Sequence, residues 1–142
     1  MANKDLRNFI EEIDRIGELK RISGAETEED IGGLVDIFMR DVGNPALLFD
    51  DVPGYPEGFR VLANIIMSRP RCAIALGLPP DTTEADLIKW WRHYLGDAPM
   101  HPPVEVNGGP LVENVFEGEA VNIQTLPSPK WHEHDGGNFI GT

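Results

Sequence analysis

A chain of 142 residues is long enough for one domain, and a domain of that size buries roughly 70% of the surface its unfolded form exposes. Apolar residues make up 41%, too many for a disordered chain, and a net charge of −12 argues against nucleic acid, whose phosphates require clustered Lys and Arg. A single cysteine, Cys72, excludes a disulfide framework and a Cys-rich zinc site, and no run approaches the ~20 apolar residues that span a bilayer.

The opening MANKDLRNFIEE carries charge and no uninterrupted apolar stretch, which is unlike a signal peptide. A cytoplasmic location is therefore expected. Leu6, Phe9, Ile10, Ile13 and Ile16 recur at helical spacing, with Asn3 or Asp5 as cap and Gly17 as a left-handed stop. Glu18 to Ile22 reads as a short strand. Thr27 and Asp30 have capping-box spacing ahead of a second helix, whose buried face is Ile31, Leu34, Val35 and Phe38 and whose end is Gly43-Asn44-Pro45. Gly32 and Gly33 weaken that helix near its start; they either allow close packing or mark a later first turn.

Ala46 to Val52 reads as a buried strand, Pro53 to Gly58 as a turn-rich loop, and Phe59 to Met67 as the next strand. Strands flanked by helices predict an α/β (α+β) domain with its sheet covered on at least one face. Arg71 to Leu76 predicts a short helix stopped by Gly77. Within it, Cys72 sits among apolar neighbours and is expected to be an inert thiol. Thr83 and Asp86 repeat the capping spacing before a helix from Thr83 to Leu95, ended by Gly96. Its face of Leu87, Trp90, Trp91, Tyr94 and Leu95 could stack on a flavin or a base, but such a face more commonly serves as core or interface.

From Asp97 the composition turns to proline and glycine, which no helix survives. The segment reads as a connection. Val104 to Val106, Leu111 to Phe116 and Val121 to Ile123 then predict short strands, with a hairpin turn at Asn107-Gly108 and a turn at Glu117-Gly118. One α/β domain over residues 1–100 is thus followed by the start of an all-β domain over residues 101–142.

No P-loop, G-x-S-x-G or H-E-x-x-H motif is present, and no G-x-G-x-x-G follows a strand. The nearest catalytic cluster is His132, Glu133, His134 and Asp135. Two histidines at i and i+2 can share a metal only on extended backbone, and a third ligand would have to come from Asp135 or elsewhere. Either imidazole could serve in acid–base chemistry, yet no nucleophile accompanies them. Gly136-Gly137 reads as a tight turn, or as backbone that lets a ligand come close.

Three stretches carry a resemblance. DLRNFIEEIDRIGELKRI, PALLFDDVPGYPEGFRVLANIIMSRPRCAIALGLP and LPSPKWHEHDGGNFIGT resemble, in order and spacing, the first part of the UbiD-like decarboxylases, across essentially the whole chain. The resemblance implies reversible decarboxylation of an aromatic or α,β-unsaturated carboxylic acid with prenylated flavin mononucleotide (prenylated FMN), a divalent metal, usually manganese (Mn2+), and often potassium (K+). In such enzymes the cofactor supplies the difficult chemistry and the protein orients it. Residues 101–142 would be the first strands of the family's split β-barrel, which holds the flavin.

Family members are roughly three to four times longer than a single domain of about 100–150 residues. Their metal ligands, an Asn, a His and a Glu, and their catalytic Arg and two acids match no residue here. No catalytic, cofactor-binding or metal residue is therefore carried over. His132 and His134 do not match the metal-binding His, and Ile140, Gly141 and Thr142 would only begin the strand that leads to the site. The resemblance thus implies the N-terminal part of a decarboxylase, inactive alone, needing the rest of the polypeptide or companion subunits. The complete enzyme would act on a small acid, off the membrane, as a homo-oligomer. A non-catalytic small subunit or binding module is the alternative, and an independent metal hydrolase built on HEHD a further one. The stop just after entry into a strand is expected of a piece of a longer chain.

Overall fold

The structure is a computed structural model and describes residues 5–41, 43–97 and 102–141. The expectations on Asn3, on the start of the connection at 98–101 and on Thr142 lie outside the described residues. Helix α1, Leu6–Arg15, begins where the Asp5 carboxylate accepts the Asn8 N–H at 3.0 Å. It ends as expected at Gly17, whose φ of 77° lets its own N–H reach the Asp14 carbonyl while the Glu18 N–H reaches that of Ile13. The chain then turns directly into strand β1, Leu19–Ser23.

Helix α2, Asp30–Met39, departs from the expected cap. Its N-cap is Glu29, with no side-chain bond. The Asp30 carboxylate instead accepts the Glu26 N–H, and the Thr27 carbonyl accepts the N–H of Lys130 at 2.8 Å. Strand β2, Ala46–Asp50, is shorter than Ala46 to Val52 because Asp51 takes φ 50° and breaks the extended run. Strand β3, Val61–Ala63, is shorter than Phe59 to Met67 because Asn64 does the same at φ 55°. Helix α3, Arg69–Ala75, is capped by Ser68 and stopped at Gly77 by the same pair of bonds that ends α1. Helix α4, Glu84–Asp97, opens where Thr83 Oγ1 accepts the Asp86 N–H at 3.2 Å. It runs through Gly96 rather than stopping there; one glycine costs a helix only about 1 kcal/mol, and that is not enough to end it.

The sheet order is β1-β2-β3, with β1 parallel to β2 and β3 antiparallel to it. The connection from β1 to β2 carries α2, as a parallel pair requires. Alternation along β2 feeds two cores. Leu47 and Phe49 join Ala25, Ile31, Val52 and Ala63 on the α2 face, while Ala46 joins Phe9, Ile13 and Ile74 between α1 and α3. The central strand is thus buried on both faces, and the molecule is a small α+β fold.

Beyond α4 the barrel strands expected at 104–106, 111–116 and 121–123 are not formed. The described residues from 102 to 141 contain no strand, only three single turns of 3₁₀ helix at Pro110–Val112, Gly118–Ala120 and Ile123–Thr125. Among the described residues the stretch has no strand to pair with, and its backbone closes short turns instead. Gly109 and Gly118 take positive φ, Asn122 turns the chain by accepting the Gln124 N–H, and the backbone bonds of this stretch close three-residue turns. The aromatic face of α4 joins neither core among the described residues. Trp90, Trp91 and Tyr94 stack on one another, and Trp91 and Tyr94 are about half exposed.

Candidate functional site

The segment from Pro127 returns to the sheet. Pro127 and Pro129 are buried, and Trp131 packs against the core on the α2 face. From there the chain closes on itself. The Phe139 N–H donates to the Pro129 carbonyl at 3.2 Å, and the Trp131 indole N–H donates to the Phe139 carbonyl at 2.9 Å. Asn138 Nδ2 donates both to the Ser128 carbonyl and to Glu28, each at 2.9 Å. A compact loop with joined ends and its own internal bonds is a form often used functionally.

Gly32 decides how close this loop lies to α2. A Cβ there would meet the Lys130 carbonyl oxygen at 2.8 Å and the Trp131 carbonyl oxygen closer still, whereas a Cβ on Gly33 would meet nothing. Of the two readings of the glycine pair, close packing holds for Gly32.

At the tip of the loop HEHD forms a turn. The Asp135 N–H donates to the His132 carbonyl at 3.1 Å, and the Asp135 carboxylate accepts the His132 N–H at 2.9 Å. The His132 ring lies 3.6 Å from the same carboxylate and faces solvent, as His134 does. Among the described residues no three His, Cys, Asp or Glu side chains converge to hold a metal. Gly136 and Gly137 take ordinary backbone angles and stand in open space.

The loop and β3 form the walls of a groove of about 610 Å³. One side is every residue from Arg60 to Met67; the other includes Pro127, Pro129, Trp131, Ile140 and Gly141. Ile140 and Gly141, expected to start a strand, instead line this groove in irregular backbone. Its rim is held from behind by α3. The carbonyls of Ile65 and Ile66 accept from Arg71 Nε and Cys72 Sγ, each at 3.1 Å, so the side chains of Ile65, Ile66 and Met67 are left facing outward.

Arg71 is the centre of that support and has no exposed side-chain surface. It pairs with Glu18 at 2.5 Å and donates to the Asn44 carbonyl at 2.7 Å. Ser68 donates to the same Glu18 carboxylate at 2.8 Å. Burial pulls the Arg71 guanidinium below its ordinary pKa, and Glu18 pushes it back up. Sequence reasoning missed this residue; the signal was an arginine three residues after the Ser68 cap, followed directly by the apolar run of α3. Two buried side-chain atoms among the described residues lack a hydrogen-bond partner, Asn44 Oδ1 and Asn64 Nδ2, and Asn64 lines the groove.

Comparison with known proteins places this arrangement. The profile of the 3-octaprenyl-4-hydroxybenzoate carboxy-lyase N-terminal domain matches residues 10–91. The chain is 31% identical to pyrrole-2-carboxylic acid decarboxylase of Pseudomonas aeruginosa, over 97% of this chain and 29% of that protein. It is 32% identical to phenolic acid decarboxylase of Escherichia coli O157:H7, over 99% of this chain and 30% of that protein. Vanillic acid decarboxylase of Sedimentibacter hydroxybenzoicus (ShVdcCD) in its closed form superposes with a TM-score of 0.84 at 28% identity, covering 97% of this chain and 29% of that one. The chain therefore spans under a third of the length of the relatives it matches. It belongs to the UbiD carboxy-lyase N-terminal domain family.

Proposed function

We propose that this chain is the N-terminal part of a UbiD-type carboxy-lyase that removes CO2, reversibly, from an aromatic or α,β-unsaturated carboxylic acid. The observation that carries the reading is the match of nearly all of this chain, in sequence and in fold, to under a third of decarboxylases of aromatic acids. Prenylated FMN with Mn2+ and K+ would serve the complete enzyme. The residues present here do not fit that group. They offer no metal cluster among the described residues, and the one cation on the groove lining, Arg60, lies 3.7 Å from Asp50. No chemical step is assigned to this chain. Its role is to brace the rest of the enzyme, on the same polypeptide or a companion chain, in a cytoplasmic homo-oligomer. Among the described residues no helix is long and apolar enough to cross a membrane.

The test compares this chain alone with the complete protein loaded with prenylated FMN, offered pyrrole-2-carboxylic, vanillic and other phenolic acids. CO2 release from at least one acid by the complete protein, and none by the chain alone, is expected. Turnover by the chain alone, or none by the loaded complete protein, would sink the reading.

A further inference from the structure

The two edges of the sheet are built differently. β1 presents Lys20 and Arg21, and Arg21 is paired with Asp14 at 2.8 Å. Charge on an edge strand resists the addition of another strand. β3 is the opposite edge and carries Val61, Leu62 and Ala63. All three line the 610 Å³ groove, so the groove runs along the strand that ends the sheet.

The groove offers two things at once. The edge strand offers backbone N–H and C=O groups. Trp131, Ile140 and the buried prolines offer apolar walls. An extended peptide supplies the counterpart of each: a backbone to pair with the edge and alternate side chains for the walls.

We infer that the β3 groove receives an extended strand of alternating apolar residues from the part of the carboxy-lyase outside these 142 residues, which joins the sheet as its fourth strand. The inference rests on the reading of this chain as the N-terminal part of such an enzyme. About 70% of each relative lies outside the matched region, so the strand has an ample source. The chain's own Val104, Val106, Val121 and Ile123 have strand-like spacing but are exposed and do not line the groove.

The experiment presents the whole chain with overlapping peptides of about 15 residues, long enough to cover a strand with flanks. The peptides are drawn from the unmatched part of the Pseudomonas aeruginosa decarboxylase and from residues 102–126 of this chain. Binding is measured by fluorescence anisotropy at up to about 100 μM chain, and position by amide hydrogen exchange. At least one decarboxylase peptide is expected to bind and to slow exchange about tenfold at residues 60–64 but not at Leu19–Ser23. Ile140→Glu, at an exposed position on the groove wall, should weaken that peptide about tenfold and leave the melting temperature unchanged.

No binding by any decarboxylase peptide would overturn the inference. So would protection at β1 or α4 in place of β3, or binding at β3 by the 102–126 peptides alone. Turnover plays no part in these readouts. A groove that binds a decarboxylase peptide in a complete protein releasing no CO2 would therefore count against the proposed activity and leave the strand addition standing.

Discussion

Strand β2 and the segment 102–126 carry similar side chains to opposite ends. Ala46, Leu47, Leu48 and Phe49 are almost completely buried, whereas Val104, Val106 and Ile123 are each more than 75% exposed. Both stretches have strand-forming residues. The difference is that β2 has β1 and β3 for its backbone and a helix layer on each face, while the second stretch has neither among the described residues. Apolar spacing describes a strand that could form; pairing and cover decide whether it does.

The largest test of this contrast removes what holds the packed region together. Arg71→Met leaves the Glu18 carboxylate and two backbone carbonyls without their partner. A loss of about 3–5 kcal/mol in urea unfolding is expected, as for one partner of a buried pair. The double variant Glu18→Met/Arg71→Met should recover part of it; an equal or larger loss would mean that packing, not charge, is at stake. Substitutions on the exposed stretch, such as Val104→Ser, should stay within about 0.5 kcal/mol.

The glycine pair sharpens the comparison to adjacent residues. Gly32→Ala should cost about 1–3 kcal/mol and speed amide exchange over residues 128–139, because the new methyl meets loop backbone that cannot move aside. Gly33→Ala should gain up to about 1 kcal/mol from helix propensity alone. Equal effects at the two sites would show that the loop does not rest on α2.

Smaller effects belong to α4, which has no buried residue among those described. Thr83→Ala should cost about 1 kcal/mol of local helix stability, seen in exchange of the first turn. Asp86 is held below the usual carboxylate range, chiefly by Lys89 and also by Thr83. A depressed folded pKa gives stability that is present above the unfolded value and is lost as pH falls through the folded one. The helix should therefore fray only once pH falls below the ordinary carboxylate range, and Asp86→Asn should flatten that dependence in a circular dichroism titration.

Much of the packed body was legible in the sequence. The stripe Phe9, Ile10, Ile13 and the stops at Gly17 and Gly77 are set by local chemistry, and local chemistry is what a sequence displays. The strand ends were less legible. Asp51 and Asn64 take left-handed backbone that their side chains tolerate but do not demand. The strands expected at 104–106, 111–116 and 121–123 are not formed because a strand's partner is not written in the strand itself. For the groove, the apolar character of residues 59–67 was visible, but its opposite wall comes from residues about 70 positions later, which no local pattern reveals. The position of HEHD was plain. That Asp135 spends its carboxylate closing a turn on His132 emerges only from the fold.

The bond between Asn138 and Glu28 joins residues 110 positions apart. A chain emerging from the ribosome makes α2 about 100 residues before its cover. Until Trp131 has appeared, the core that holds Ile31 and Phe49 lacks the indole packed against it, and the face around Gly32 is open to solvent and to other nascent chains. Such an interval is one in which a holdase chaperone can act. The turn that carries Asn138 thus sets the moment at which the face of α2 is covered.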